Sequence, residues 1–223
     1  MENIKKHYRY LLPMLVLPFG YGQAANLIIL AQVNTLGSFS TAAFSVARSL
    51  LSMLASSLSW LALGGLVLSA IQAEAGKPEK AKALHRTFLI LFCALIVLAG
   101  AAFLLFGAQL SRLFASPDEI IELSASFLKG SALAMVGMAL IAFLIGQFQK
   151  SYSLKTTLAF GFVMLGMWTA MSFVLSQQLD MGILGLGLCQ GGAFAASQIA
   201  PFLLIPLRSY TKEFLPAAAG ETA

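Results

Sequence analysis

The chain alternates between long uncharged stretches and short polar clusters. Residues 10–47, 49–73, 87–111, 130–149, 156–179 and 181–207 contain no Asp, Glu, Lys or Arg. A helix of about 20 apolar residues crosses the roughly 30 Å hydrocarbon core of a bilayer, and each stretch reaches that length. The pattern predicts an all-α, polytopic membrane helix bundle with six transmembrane helices. These fall near 10–33, 40–72, 86–110, 117–148, 156–177 and 182–207, with a short N-terminal segment (1–9) before them and a tail (208–223) after.

The second predicted helix is longer than a membrane needs. A helix of about 33 residues, rising about 1.5 Å at each, is roughly 50 Å long, so it must tilt, bend or protrude. Gly64-Gly65 is a candidate bend. The fourth helix opens on Ser116-Pro117-Asp118-Glu119. This reads as a capping box: a serine cap, proline in the first turn, and a glutamate three residues on. The acidic group Asp118, Glu119 and Glu122 suits a helix N-terminus.

Composition agrees with a membrane location. Only 10% of residues are charged and 59% are hydrophobic, against about 25% charged in soluble domains. Cys93 and Cys189 both lie in apolar runs, where a cysteine serves as a small packing residue. Lys5, Lys6 and Arg9 precede an apolar stretch too long for a signal peptide and without a cleavage motif, so no cleaved signal is expected.

Charge sets the expected orientation. Lys5, Lys6, Arg9, Lys77, Lys80, Lys82, Arg86, Lys150, Lys155, Arg208 and Lys212 fall on one side of the predicted bundle, and Arg112 alone on the other. Basic loops stay cytoplasmic, so both termini are expected inside (N-in, C-in). The net charge of +5 is then an inside-loop excess and not a nucleic-acid footprint.

Few polar residues interrupt the runs. Ser45, Ser49, Ser52, Ser56 and Ser59 recur at spacings of four and three, on one helical face. Such a row either lets helices pack closely or lines a polar pathway. Arg48 stands beside it. An arginine within a membrane helix either faces a bundle interior or watery cavity, or snorkels to the interface. Gln23 and Asn26 lie one turn apart in the first helix, after Pro13 and Pro18. Gly187, Gly191 and Ala195, spaced by four, form a small-xxx-small packing face. Lys129 is expected to snorkel outward.

Catalytic signatures are absent. His7 and His85 both lie in predicted cytoplasmic segments. The chain has no HExxH, G-x-S-x-G or phosphate-binding loop. No metal-ligand cluster, cofactor motif or carboxylate deep in a helix is present. An enzyme is not expected.

Several motifs in order resemble the multidrug and toxic compound extrusion (MATE) transporters. Ala42-Ala43-Phe44-Ser45-Val46-Ala47-Arg48 resembles the small-aromatic-x-x-x-Arg stretch in the second helix of a lobe. Gln72-Ala73-Glu74-Ala75-Gly76-Lys77-Pro78-Glu79-Lys80-Ala81 resembles the family's cytoplasmic loop. Leu113-Phe114 with Ser116-Pro117-Asp118-Glu119 resembles its outer turn, and Gly182-Ile183-Leu184-Gly185 the opening of a lobe's last helix. The resemblance spans about residues 10–207.

The resemblance implies one six-helix lobe, similar to the C-terminal half, where family members have two. It implies a small-molecule efflux antiporter working by alternating access in the plasma (inner) membrane, coupled to a Na+ or H+ gradient. Two such lobes share one orientation, so the expected partner is a parallel second copy or another lobe chain. Gln23 and Asn26 stand where a coupling carboxylate would be expected. Gln23, Asn26, Ser45, Arg48, Ser49 and Ser52 are the expected pathway residues, and Arg48 without an acid favours anionic or zwitterionic substrates. Two other readings remain at this point: a flippase of lipid-linked sugars from the same superfamily, and a non-transporting truncated lobe or regulatory subunit.

Overall fold

The computed structural model describes residues 20, 22–115, 117–147, 163 and 166–204. The predicted terminal segments 1–9 and 208–223, Pro13, Pro18, Ser116 and, apart from residue 163, positions 156–165 of the fifth predicted helix lie outside these residues. All regular structure among the described residues is helical. In chain order the helices are α1 (Gly22–Thr35), α2 (Ser38–Glu74), α3 (Pro78–Arg112), α4 (Asp118–Gln147), α5 (166–178) and α6 (Gly182–Leu204). The last turn of α5, Val174–Gln178, is π-helical.

Three segments among the described residues are long and apolar enough to cross a membrane: 38–61 in α2, 79–112 in α3 and 118–141 in α4. Residues 182–197 of α6 form a shorter apolar helix. α2 has 37 residues and α3 has 35, or about 55 and 52 Å. Both outrun a core of about 30 Å, so the α2–α3 hairpin must tilt or project from the bilayer.

The hairpin turn follows from two residues. Gly76 takes φ +71°, a left-handed conformation that costs a glycine little. The Lys77 N–H then donates to the Gln72 carbonyl at 3.0 Å, the six-to-one bond of a Schellman ending. Pro78 starts α3 in the first turn, where its missing N–H leaves no helical bond unmade.

α3 begins eight residues before the predicted start at 86, and the reason is amphipathic. Ala81, His85, Leu89, Phe92, Ile96 and Phe103 are all buried at helical spacing. This stripe continues below the apolar run into a segment whose other face carries Lys80, Lys82 and Arg86. A hydropathy reading scores the whole segment as polar and stops the helix short. His85, expected in a polar cytoplasmic stretch, is therefore 2% exposed.

α2 runs through Gly64-Gly65 without interruption. A Cβ on Gly65 would lie 2.5 Å from the Phe88 ring, so this glycine makes room for an α3 aromatic.

The core sits where α4 meets its neighbours, α3, α6 and α2. Phe44 and Phe127 pack edge to face there, with centroids 5.4 Å apart. That arrangement sets the positive edge of one ring against the negative face of the other. Ser111 and Ser124, both buried, join α3 to α4 with hydroxyls 2.9 Å apart. Cys93 and Cys189 are buried and free. α1 lies against α2 and α6.

Candidate functional site

Three of the four amide side chains of α1 reach three different helices, and the fourth, Asn34, accepts from the Thr41 hydroxyl of α2 at 3.0 Å. Arg48 Nη2 of α2 donates to Gln23 Oε1 at 3.4 Å. Gln190 Nε2 of α6 donates to Asn26 Oδ1 at 2.7 Å. Gln32 Nε2 donates to Ser172 Oγ of α5 at 2.6 Å, and the Ser176 hydroxyl lies 3.5 Å from Gln32 Oε1. Gln23 and Asn26 sit one turn apart, while Gln32 points about half a turn away from Gln23. α1 is thus tied by polar contacts to α2, α6 and α5.

These ties differ in character. Gln32, Ser172, Ser176 and Gln190 are all buried. Ser172 and Ser176 also donate to the carbonyls of Thr169 and Ser172, each at 2.6 Å. In contrast, Gln23 is exposed and Arg48 half-buried, and their single bond is long for N–H···O.

Two buried atoms lack a hydrogen-bond partner among the described residues: Gln190 Oε1 and Trp168 Nε1. The Trp168 ring lies over Gly192, where a Cβ would collide with it.

The circumference of α2 divides into three arcs at about 100° per residue. With Arg48 at zero, Ser45, Ser49, Ser52, Ser56 and Ser59 span about 20–100°. Phe39, Met53 and Trp60, apolar and exposed, span about 120–180°. Ala43, Phe44, Ala47, Leu51 and Leu58, all buried, span about 220–320°. Ser45, Ser49, Ser52 and Ser56 are exposed, so this part of the row packs against no other helix among the described residues.

Each of these four hydroxyls is turned onto its own helix. Ser45 donates to the Thr41 carbonyl at 3.1 Å, Ser49 to Ser45 at 2.9 Å, Ser52 to Ser49 at 2.9 Å, and Ser56 to Ser52 at 3.0 Å. Such back-bonding uses the one hydroxyl proton and leaves lone pairs outward.

Arg48 carries the only charge between residues 38 and 61. It is about ten residues, or about 15 Å, from the start of that span. Among the described residues no carboxylate pairs with it.

Gly187 and Gly191 lie at the α4–α6 crossing. A Cβ on Gly187 would meet the Phe127 carbonyl, and one on Gly191 the backbone of Ser131. Ser131 Oγ donates across the interface to the Gly187 carbonyl at 3.0 Å. Ala195 is fully buried in the same helix. Lys129 is exposed on α4.

Gln23 and Arg48 meet directly, with Ser45, Ser49 and Ser52 beside them on α2. Asn26 is engaged instead with Gln190. Gln190, Gln32, Ser172 and Ser176 were not singled out by sequence pattern. The available signal was an amide inside a long apolar run, as with Gln190 in 181–207.

A family model described as MatE matches residues 22–159. No curated protein and no solved structure matches this chain.

Proposed function

Because the chain belongs to the MatE family, a family of membrane transporters, we propose that it moves a small polar solute by alternating access between two lobes. Each lobe is one such bundle, and the polar arc of α2 with Gln23 lines the cavity between them. The observation that carries this reading is the uncovered arc itself. Four serines beside a mid-span arginine face away from every packed neighbour among the described residues.

The physical argument rests on the cost of exposing that arc to lipid. An arginine at the centre of a membrane helix costs at least about 2.5–3.5 kcal/mol on insertion scales. A water-filled cavity removes that cost. The adjacent arc with Phe39, Met53 and Trp60 is suited to lipid, and its separation from the serines gives α2 one wet and one greasy exposed side.

The second lobe is a parallel copy of this chain or another lobe chain, with both termini cytoplasmic in the inner (plasma) membrane. The basic residues of the α2–α3 turn, Lys77, Lys80 and Lys82, favour that orientation. Flux is driven as antiport against Na+ or H+.

Native mass spectrometry of the protein in lipid nanodiscs tests the pairing, and uptake into proteoliposomes tests the function. A dimer with gradient-driven uptake is expected. A strict monomer that moves no solute of either charge would overturn the reading.

A further inference from the structure

The recognition chemistry of this arc can be taken further, resting on the transporter reading above. We infer that the Arg48–Gln23 corner binds the carboxylate or phosphate of a small solute, and that the α2 serines accept hydrogen bonds from hydroxyl or ammonium groups of the same solute.

The oxyanion end follows from donor count. A guanidinium has five N–H donors, and among the described residues Arg48 makes one long bond, to Gln23. Because Gln23 accepts through its oxygen, its NH2 group remains a donor beside the guanidinium. Two planar donor groups meet there with no carboxylate among the described residues to neutralise them. Bidentate pairing with carboxylate or phosphate is the strongest contact such a fork makes.

The other end follows from the serine bonds. With their protons committed to helix carbonyls, Ser49, Ser52 and Ser56 present acceptors to the open side. Ser52 lies about 6 Å along the helix from Arg48, and Ser56 about 12 Å. A solute that satisfies both ends carries an oxyanion at one end and donors along its length. Hydroxylated acids, sugar phosphates and zwitterionic amino acids have that form. A simple aromatic acid fills only one end, and a lipophilic cation meets the guanidinium with like charge.

Binding of radiolabelled gluconate, glucose 6-phosphate, phosphoserine, benzoate and tetraphenylphosphonium to the purified full chain tests this. The protein is held in phosphatidylcholine nanodiscs and counted by scintillation proximity, and the same probes are followed into proteoliposomes. At least one of the first three is expected to bind saturably, and more tightly than benzoate. Its affinity should fall at least tenfold in Arg48→Gln and less in Arg48→Lys. It should fall about threefold in the Ser49→Ala/Ser52→Ala double variant. Ser57→Ala, exposed and half a turn away from Arg48, should leave it unchanged.

Uptake of tetraphenylphosphonium without binding of any of the three hydroxylated or amino anions overturns the inference and leaves the transporter reading intact. If no probe of either charge binds or moves, both are overturned. Displacement of the bound solute by phosphatidylglycerol in the nanodisc assigns the oxyanion to a lipid headgroup and overturns the solute assignment. Binding that Arg48→Gln leaves unaltered, in protein that remains monodisperse, overturns it as well.

Discussion

The α4–α6 crossing and the outer arc of α2 use the same residue type for opposite ends. At the crossing, Ser131 sends its proton to the Gly187 carbonyl of the neighbouring helix. On α2, Ser45, Ser49, Ser52 and Ser56 send theirs to their own helix. One arrangement closes two backbones on each other; the other leaves a helix whose polar groups are satisfied yet unattached. In a bilayer, where apolar burial does not drive helices together, close approach and interhelical bonds decide association. A serine row is therefore a packing face only when glycines or alanines opposite it let another backbone in.

The comparison can be broken first by bulk. Gly191→Leu puts a side chain where the Ser131 backbone lies. Overpacking costs about 1–3 kcal/mol even where neighbours can shift. Backbone cannot shift cheaply, so most of the protein should leave the monodisperse peak in size-exclusion chromatography. Ser52→Leu, on the open arc, should keep that peak. Equal damage from both would erase the distinction between the two regions.

Buried polar ties come next. Gln32→Leu strips Ser172 and Ser176 of their α1 partner. The loss should be about 1–2 kcal/mol, seen as a drop of several degrees in the thermal midpoint. An unchanged midpoint would mean that α1 is not held by this contact.

Ser131→Ala tests the crossing alone. Interhelical bonds in membranes average about 0.6 kcal/mol, so a shift of about 2 °C is expected in the same thermal assay. If Ser131→Ala is silent while Gly191→Leu is severe, close approach and not the hydrogen bond holds the crossing.

Smallest of all should be Ser45→Ala/Ser56→Ala. Among the described residues each hydroxyl bonds only its own helix, so the change in stability should stay within about 0.5 kcal/mol. A larger loss would show that another helix or a second chain covers this arc.

Much of the architecture was legible in the chain because bilayer thickness imposes length. The runs 49–73, 87–111 and 130–149 mark α2, α3 and α4, and Gly76-Lys77-Pro78 marks the turn. The start of α3 was not legible from hydropathy, since its buried stripe through Ala81 and His85 is interleaved with Lys80, Lys82 and Arg86. At the site, Arg48 and Gln23 stood out as rare polar groups in apolar runs. Asn26 also stood out, but its partner Gln190 lies 164 positions away, and nothing in the spacing pairs them.

Local composition determined which segments are helical, where the charge lies and that one arginine stands alone in a span. These depend on solvent and on neighbours a turn away, and both act through sequence distance. Tertiary structure alone decided that the serines of α2 stay open while Ser131 is enclosed. It also decided that the amides of α1 tie it to three helices. Those outcomes depend on which face of a helix another backbone can reach, and that is settled by the shapes of all the surrounding helices together.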